Sequence, residues 1–138
     1  MDIDKIFDLF DTPNEPKKQV IRDISEHPAF WIGMFRKIIM NHSNFNATQL
    51  SVFKAAFPNM DINDIRNAGE FIIYTRSYEF LQKLDIEREL DLQILKDSTS
   101  IELDVALKLA LSYFENTEEY EKCAFIMRVL TIVEKDLT

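Results

Sequence analysis

Residues 29–40, AFWIGMFRKIIM, are the most apolar stretch of the chain, and they set the expectation for the whole fold. Pro28 can begin a helix here, because proline suits the first helical turn and disfavours helical geometry in the residue before it. Arg36 and Lys37 interrupt the stretch, which is far shorter than the roughly 20 apolar residues of a membrane span. We therefore predict a buried helix at the centre of the fold. Its apolar side chains are Phe30, Trp31, Met34, Phe35, Ile38 and Ile39.

The composition favours helices over strands. Two Gly and four Pro are few for 138 residues, whereas a β-sandwich or barrel needs many tight turns that tolerate positive φ. Hydrophobic residues make up 46% of the chain and include 11 Phe, which is enough apolar volume for one core without metal or disulfide. We predict one all-α domain, residues 1–138, with seven or eight helices that end in an antiparallel helical hairpin.

Proline and capping residues mark the other helices of the first half. Before the central helix, one amphipathic helix is predicted to end at Pro13 and a second to begin near Pro16. After it, Asn46 caps a helix that Pro58 ends, and a longer helix runs from a cap at Asp61 or Asn63 to about Leu84, with a possible break near Arg76. The candidate core residues of these four helices are Ile3, Ile6, Phe7, Phe10, Val20, Ile21, Ile24, Leu50, Phe53, Phe57, Ile65, Ala68, Ile72, Phe80 and Leu84.

Three further helices are predicted in the second half, around a loop at residues 97–100. Thr99 with Glu102, and Asn116 with Glu119, have the spacing of capping boxes and predict the starts of the last two helices. The last helix carries a second set of apolar residues that widens its stripe towards another contact surface. The predicted buried residues are Ile86, Leu90, Ile94 and Leu95, then Leu103, Ala106, Leu107, Ala110 and Phe114, then Tyr120, Cys123, Ala124, Met127 and Leu130, widened by Ile126, Val129 and Val133.

The carboxy-terminal hairpin, about residues 101–137, is the segment that resembles known families. Its second helix opens with the run Glu119-Tyr120-Glu121-Lys122-Cys123-Ala124, after a turn predicted at Glu115–Thr117. This run resembles the acid-aromatic-acid opening and small residues of the UvrB and UvrC helical hairpin interaction motif. The hairpin is also similar to a single tetratricopeptide unit, in which a Tyr and two small residues let paired helices pack closely. Both resemblances imply protein binding rather than chemistry.

The charge of the chain is strongly negative and unevenly distributed. The net charge is −8, and residues 97–138 hold 9 acidic against 4 basic side chains, so a basic partner should favour this third. The same charge counts against general attraction to nucleic acid or to an anionic membrane. The only cysteine, Cys123, cannot close an intramolecular disulfide, and no signal-peptide pattern follows Met1, so we expect a cytoplasmic protein.

Two acidic segments are the candidate binding residues. We predict that they steer a basic protein surface towards the chain while neighbouring apolar residues supply the affinity, which makes the chain a non-catalytic adaptor or regulatory protein. A homo-oligomer is a further possibility, because several helices have apolar residues on more than one side. The candidate partner-binding residues are Asp85, Glu87, Glu89 and Asp91 in one segment and Glu115, Glu118, Glu119 and Glu121 in the other.

One alternative function is that of a DNA-binding transcription regulator. Residues 47–71 have the pattern of a helix-turn-helix, with Pro58–Met60 as the turn and a reading helix that begins at Ile62. Such a helix would expose side chains that can bond to base edges, namely Asn63, Arg66 and Asn67. The nearby acids Asp61, Asp64 and Glu70 would repel the phosphates.

A second alternative is a Mg²⁺-dependent all-α nucleotide hydrolase. Glu118 and Glu121 have the spacing that places two carboxylates on one helical face, as such enzymes require, but no second pair faces them in the sequence pattern. With His27, His42 and Cys123 as the only soft ligands, no zinc cluster is expected. We therefore predict no catalytic residue, no metal and no cofactor.

Overall fold

The computed structural model describes residues 23–43 and 47–138. Its helices are α1 (Pro28–Ser43), α2 (Ala47–Ala56), α3 (Ile62–Leu81), α4 (Glu89–Asp97), α5 (Ile101–Asn116) and α6 (Tyr120–Leu137). Residues 23–25 are also helical, and the described part of the chain contains no strand, so the all-α fold is confirmed. The predicted helix with Ile3, Ile6, Phe7 and Phe10, most of the following helix, and the cap at Asn46 lie outside the described residues.

Helix α1 is central, as predicted. It begins at Pro28 and packs against α3, α4 and α5, with Ile32, Phe35 and Ile39 almost fully buried between them. Its start is fixed by the Trp31 indole, whose Nε1–H donates a hydrogen bond of 2.9 Å to the Ser25 carbonyl. The helix therefore forms the axis around which the rest of the core is arranged.

Helix α3 begins where the sequence predicts but turns a different side to the core. The Asp61 side chain accepts a hydrogen bond from the Asn63 amide, as expected of an N-cap, and the helix runs unbroken past Arg76. The buried residues are Tyr74, Ser77 and Leu81, followed by Leu84 beyond the helix. The prediction of a buried Ala68 and Ile72 was wrong, since both are exposed. Periodicity gives the spacing of a stripe, and α3 has apolar residues on two sides, so it does not give the direction.

Helices α5 and α6 form the predicted antiparallel hairpin. An ion pair of 3.6 Å joins Lys108, midway along α5, to Glu134, late in α6. The predicted α5 stripe is confirmed, because Leu103, Ala106, Leu107, Ala110 and Phe114 are all fully buried. Three local predictions were wrong, one of them the N-cap of α6, which is Glu119 rather than Asn116. The N-cap of α5 is Ser100 rather than Thr99, and the turn lies at residues 117–119 because α5 continues to Asn116.

The buried side of α6 consists of the three residues that the sequence pattern assigned to a second contact surface, together with Leu130 of the predicted core stripe. Ile126, Val129, Leu130 and Val133 are buried against α5 and α4. Three of the residues predicted to be buried, Tyr120, Ala124 and Met127, are exposed, and Cys123 is half-buried. Helix α6 therefore does have a wide apolar arc, as predicted, and the burial of Leu130 is confirmed, but Tyr120, Ala124 and Met127 lie on its exposed side.

Helix α4 corrects the predicted placement of Asp91. This carboxylate was expected on the solvent side, but it is only 1% exposed, while the predicted core residue Leu90 is exposed. The reason is local, because Asp91 Oδ2 accepts a 2.9 Å hydrogen bond from the Asp85 backbone amide and so holds the 85–88 segment against the helix start. Within residues 23–43 and 47–138, no helix is both long and apolar enough to cross a bilayer.

Candidate protein-binding surface

The turn between α5 and α6 has the geometry of a Schellman motif. The Glu119 amide donates to the Phe114 carbonyl at 2.9 Å and the Glu118 amide donates to the Glu115 carbonyl at 3.1 Å. Glu118 occupies the position that this motif usually gives to glycine, with φ of 60°, and no other non-glycine residue in the described ranges has positive φ. The turn therefore projects an acidic side chain at the cost of backbone strain.

The acidic side chains of this turn differ in whether they form an ion pair. Glu119 is held by Lys122, whose Nζ lies 3.0 Å from its carboxylate, and it also accepts a hydrogen bond from the Thr117 hydroxyl. Glu115, Glu118 and Glu121 are exposed and form no ion pair with any residue that the structure describes. These three carboxylates are therefore open to a cationic partner.

Lys122 connects the acidic turn to the core. Its ammonium group lies 5.3 Å from the centre of the Tyr78 ring and 5.0 Å from that of Phe114, which are cation–π distances. Burial, followed by the negative charges of Glu121 and Glu119, raises the pKa of the Tyr78 hydroxyl. Lys122 thus anchors the turn by binding Glu119 and the two aromatic rings, and it leaves the negative charges of Glu115, Glu118 and Glu121 unneutralised.

The second acidic segment, residues 85–91, precedes and begins α4 and lies beside α6. Arg128 of α6 is 3.8 Å from the carboxylate of Glu87, which brings the exposed acids Asp85, Glu87 and Glu89 to the side of α6. Residues seven apart share a helical face and are separated by about 10 Å, so Glu121 and Arg128 lie on one side of α6. The structure therefore brings the two predicted acidic segments together, and only Asp91 is withdrawn from the surface.

An exposed apolar stripe runs beside these acids, and the sequence pattern had assigned it to the core. It consists of Tyr120, Ala124 and Met127, at positions i, i+4 and i+7 of α6. Tyr120 is 66% exposed and Met127 is 47% exposed, so the stripe presents two large side chains to solvent on one helical face. We name these three residues the Tyr120 stripe. The signal in the sequence was the excess width of the apolar arc of α6, and a hairpin partner can cover only one side of it.

A cavity of about 770 Å³ opens between α1, α2, α3 and α5, which the sequence pattern did not predict. Its size falls within the range of small-ligand sites, roughly 300–1,000 Å³. The walls are mainly apolar, with Arg66 and Glu70 among the few charged groups, and the described residues offer neither of them an ion pair. The lining residues are Ile38, Asn41, His42, Leu50, Phe53, Ile65, Arg66, Gly69, Glu70, Ile73, Tyr74 and Leu109.

The carboxylate pair proposed for a nucleotide hydrolase does not form as predicted. Glu118 lies in the turn, outside α6, so it does not share a helical face with Glu121. In the described part of the chain, no three His, Cys, Asp or Glu side chains are grouped so that they could hold a metal ion. Desolvation, followed by the charge of Glu115, raises the pKa of the Cys123 thiol, so the neutral thiol is favoured.

The segment predicted as a helix-turn-helix does consist of two helices. Helix α2 ends at Ala56, Phe57–Asp61 form the connection, and α3 follows. The predicted base-reading residues Asn63, Arg66 and Asn67 are exposed near the start of α3, together with the acids Asp61 and Asp64.

Comparisons with known proteins add no relative. No protein-family model matches the chain, and no similar curated protein or solved structure was found. The resemblance of residues 101–137 to the UvrB and UvrC hairpin or to a tetratricopeptide unit therefore stays a prediction, and the function has to be argued from the surface itself.

Proposed function

We propose that this chain is a non-catalytic binding protein whose partner docks on the Tyr120 stripe and the acids around it. The observation that carries the proposal is the stripe itself, in which Tyr120 and Met127 are exposed on either side of Ala124. Tyrosine and methionine side chains are enriched at protein interfaces, where they bury a large apolar area. The stripe would supply the affinity of the complex.

The acids would supply the association rate and the choice of partner. The exposed parts of the two segments, residues 85–90 and 115–128, contain seven acidic side chains against three basic ones. Two of the three are already paired within the surface, Lys122 with Glu119 and Arg128 with Glu87. A basic surface would therefore be attracted during diffusion, and rising salt would weaken this attraction because the Debye length is only about 8 Å at physiological ionic strength.

The location we propose is the cytoplasm, where a single half-buried cysteine such as Cys123 stays reduced. An adaptor or regulatory role fits a surface that binds without bringing reactive groups together. DNA binding through α2 and α3 is the rival hypothesis, and the same experiment separates the two.

The experiment compares protein capture by the full chain and by variants of the stripe. A lysate of the native host is passed over immobilised wild type, over Tyr120→Ala with Met127→Ala, and over Ile101→Ala as the matched control. Ile101 is 76% exposed and lies at the other end of the hairpin, so it controls for the loss of a surface apolar side chain. We expect a partner that the wild type and the control retain and that the stripe variant loses at least tenfold.

The purified partner then tests the electrostatic part. Its association rate with the wild type should fall as salt rises, and it should fall further with Glu118→Lys and Glu121→Lys together. Asp97→Lys with Glu102→Lys is the charge-matched control, since both residues are exposed and lie at the end of α4 and the start of α5, away from the turn of the hairpin. An association rate that ignores salt and the turn variant would remove the steering role. Capture of duplex DNA that Arg66→Ala abolishes would favour the rival hypothesis.

A further inference from the structure

The outward side of α3 carries a pattern that reads the same in both directions. Six residues share this side of the helix, and the separations between them along the chain are 4, 3, 1, 3 and 4. The two ends are charged with opposite sign, the next positions inwards are both isoleucine, and the two central residues are small. We name this set the outer stripe: Asp61, Ile65, Ala68, Gly69, Ile72 and Arg76.

Within the described residues, most of the outer stripe lies outside the packed core, although the Asp61 carboxylate at its start caps α3 through the Asn63 amide. Ile72 is 63% exposed, Ala68 is exposed, and Ile65 is only half-buried at the edge of the cavity. Arg76 is paired with Glu79 at 3.1 Å, but both side chains are more than half exposed, and such pairs contribute little. The buried residues of α3, among them Tyr74, lie on the opposite side and face α1 and α5.

Gly69 gives a second reason to expect that another helix packs on the outer stripe. Glycine in a helix interior costs about 1 kcal/mol relative to alanine, and a Cβ built at this position would meet no atom within 4 Å. The packing of the described residues therefore does not require a glycine here, and Gly69 borders only the open cavity on one side. A glycine beside Ala68 does allow another helix backbone to approach closely at the middle of the stripe.

The charges of the stripe select the occupant. If a second α3 lies across the first in the antiparallel direction, Asp61 faces Arg76 of the second copy and Ile65 faces its Ile72. The same arrangement places Ala68 against Gly69 of the second copy, and every contact occurs twice, as a two-fold interface requires. A parallel arrangement would instead place Asp61 against Asp61 and Arg76 against Arg76, and would align the helix dipoles unfavourably.

We propose that the chain forms a two-fold symmetric dimer through the outer stripes of two antiparallel α3 helices. Phe57 and Met60, which are both about half exposed just before α3, would extend the apolar contact at each end. The interface is separate from the Tyr120 stripe, because Tyr78, which faces α6, points from a different side of α3. A dimer would therefore present two copies of the proposed partner-binding surface.

Disulfide cross-linking of the full chain tests the geometry directly. In a Cys123→Ala background, Ala68→Cys places its thiol next to the symmetry axis, within reach of the same residue in the second copy. Arg76→Cys places its thiol opposite residue 61, about 22 Å along the helix from its own counterpart. We expect mild oxidation to give a covalent dimer with Ala68→Cys and none with Arg76→Cys. Cross-linking of both variants would indicate parallel helices, and cross-linking of neither would exclude this interface.

Solution mass provides the second readout. The wild type should have twice its monomer mass of 16.2 kDa by sedimentation or light scattering at micromolar concentration. Ile72→Asp should return it to the monomer mass, while Ile101→Asp, an equal change at an exposed isoleucine elsewhere, should leave the dimer intact. Circular dichroism should show all variants folded, since Ala68, Ile72, Arg76 and Ile101 are exposed and Cys123→Ala only shortens a half-buried side chain. A wild type that stays monomeric, or a dimer that Ile72→Asp leaves unchanged, would overturn the proposal.

Discussion

Replacing Glu118 by glycine should stabilise the fold by about 1 kcal/mol, although it removes a side chain and adds no contact. Glu118 has a φ of 60° at the end of α5. Left-handed geometry costs a residue with a Cβ roughly 1–2 kcal/mol, and glycine avoids this cost but loses about 0.5–1 kcal/mol through its larger freedom in the unfolded chain. The two hydrogen bonds of the turn come from backbone amides, so they survive the substitution.

The expected gain can be measured by urea unfolding and by thermal melting. For 138 residues, with an unfolding entropy of about 2.1 cal/mol/K per residue, 1 kcal/mol corresponds to a rise in Tm of about 3 °C. Glu118→Ala is the matched control, because it removes the same negative charge from beside Glu115, Glu119 and Glu121 but keeps the Cβ. If Glu118→Ala stabilises the protein as much as Glu118→Gly, the gain comes from reduced charge repulsion and the strain argument is refuted.

Two other predictions concern the first turn of α5 and the tyrosines of the core. Ser100→Ala should destabilise the protein by about 1 kcal/mol in urea unfolding, because the Ser100 hydroxyl accepts a hydrogen bond of 3.1 Å from the Leu103 amide. Ser100→Asp, which can also cap the helix, should retain most of the stability. An unchanged unfolding midpoint for Ser100→Ala would show that the cap contributes nothing. Burial raises the pKa of Tyr74, Tyr78 and Tyr113 above the usual 10.0, so the folded state holds their protons more tightly than the unfolded state. Stability from these groups should therefore be complete below pH 10 and should fall as pH rises above it, with a smaller fall in Tyr78→Phe; a midpoint of unfolding that does not change above pH 10 would contradict this.

The sequence predicts the buried side of a helix well where one apolar stripe is more continuous than any other. In α5 Leu103, Leu107 and Phe114, with two alanines between them, form such a stripe, and the structure confirms that it is buried while Ile101 and Val105 are exposed. In α3 and α6 apolar residues lie on two sides, and which side becomes buried depends on where the neighbouring helices pack. For this reason Ile72 and Tyr120 were assigned to the core, although both are exposed.

The candidate site shows the same division between local and long-range information. The acids of residues 115–121 could be identified from local charge, because no tertiary contact is needed to count them. Their neighbourhood with Glu87 depends on the ion pair to Arg128, which exists only because α4 packs against α6. The burial of Asp91 likewise depends on the path of the chain at Asp85, which periodicity does not describe.

The hydrogen bond between Trp31 and the Ser25 carbonyl has a practical consequence for spectroscopy. The chain has one tryptophan, so its fluorescence reports on a single place, the beginning of α1. An emission maximum that moves to longer wavelength would signal that this end of the helix has opened to water, even while the hairpin of α5 and α6 remains intact. Comparing the emission with far-ultraviolet circular dichroism during unfolding would therefore show whether the two ends of the molecule melt together or in sequence.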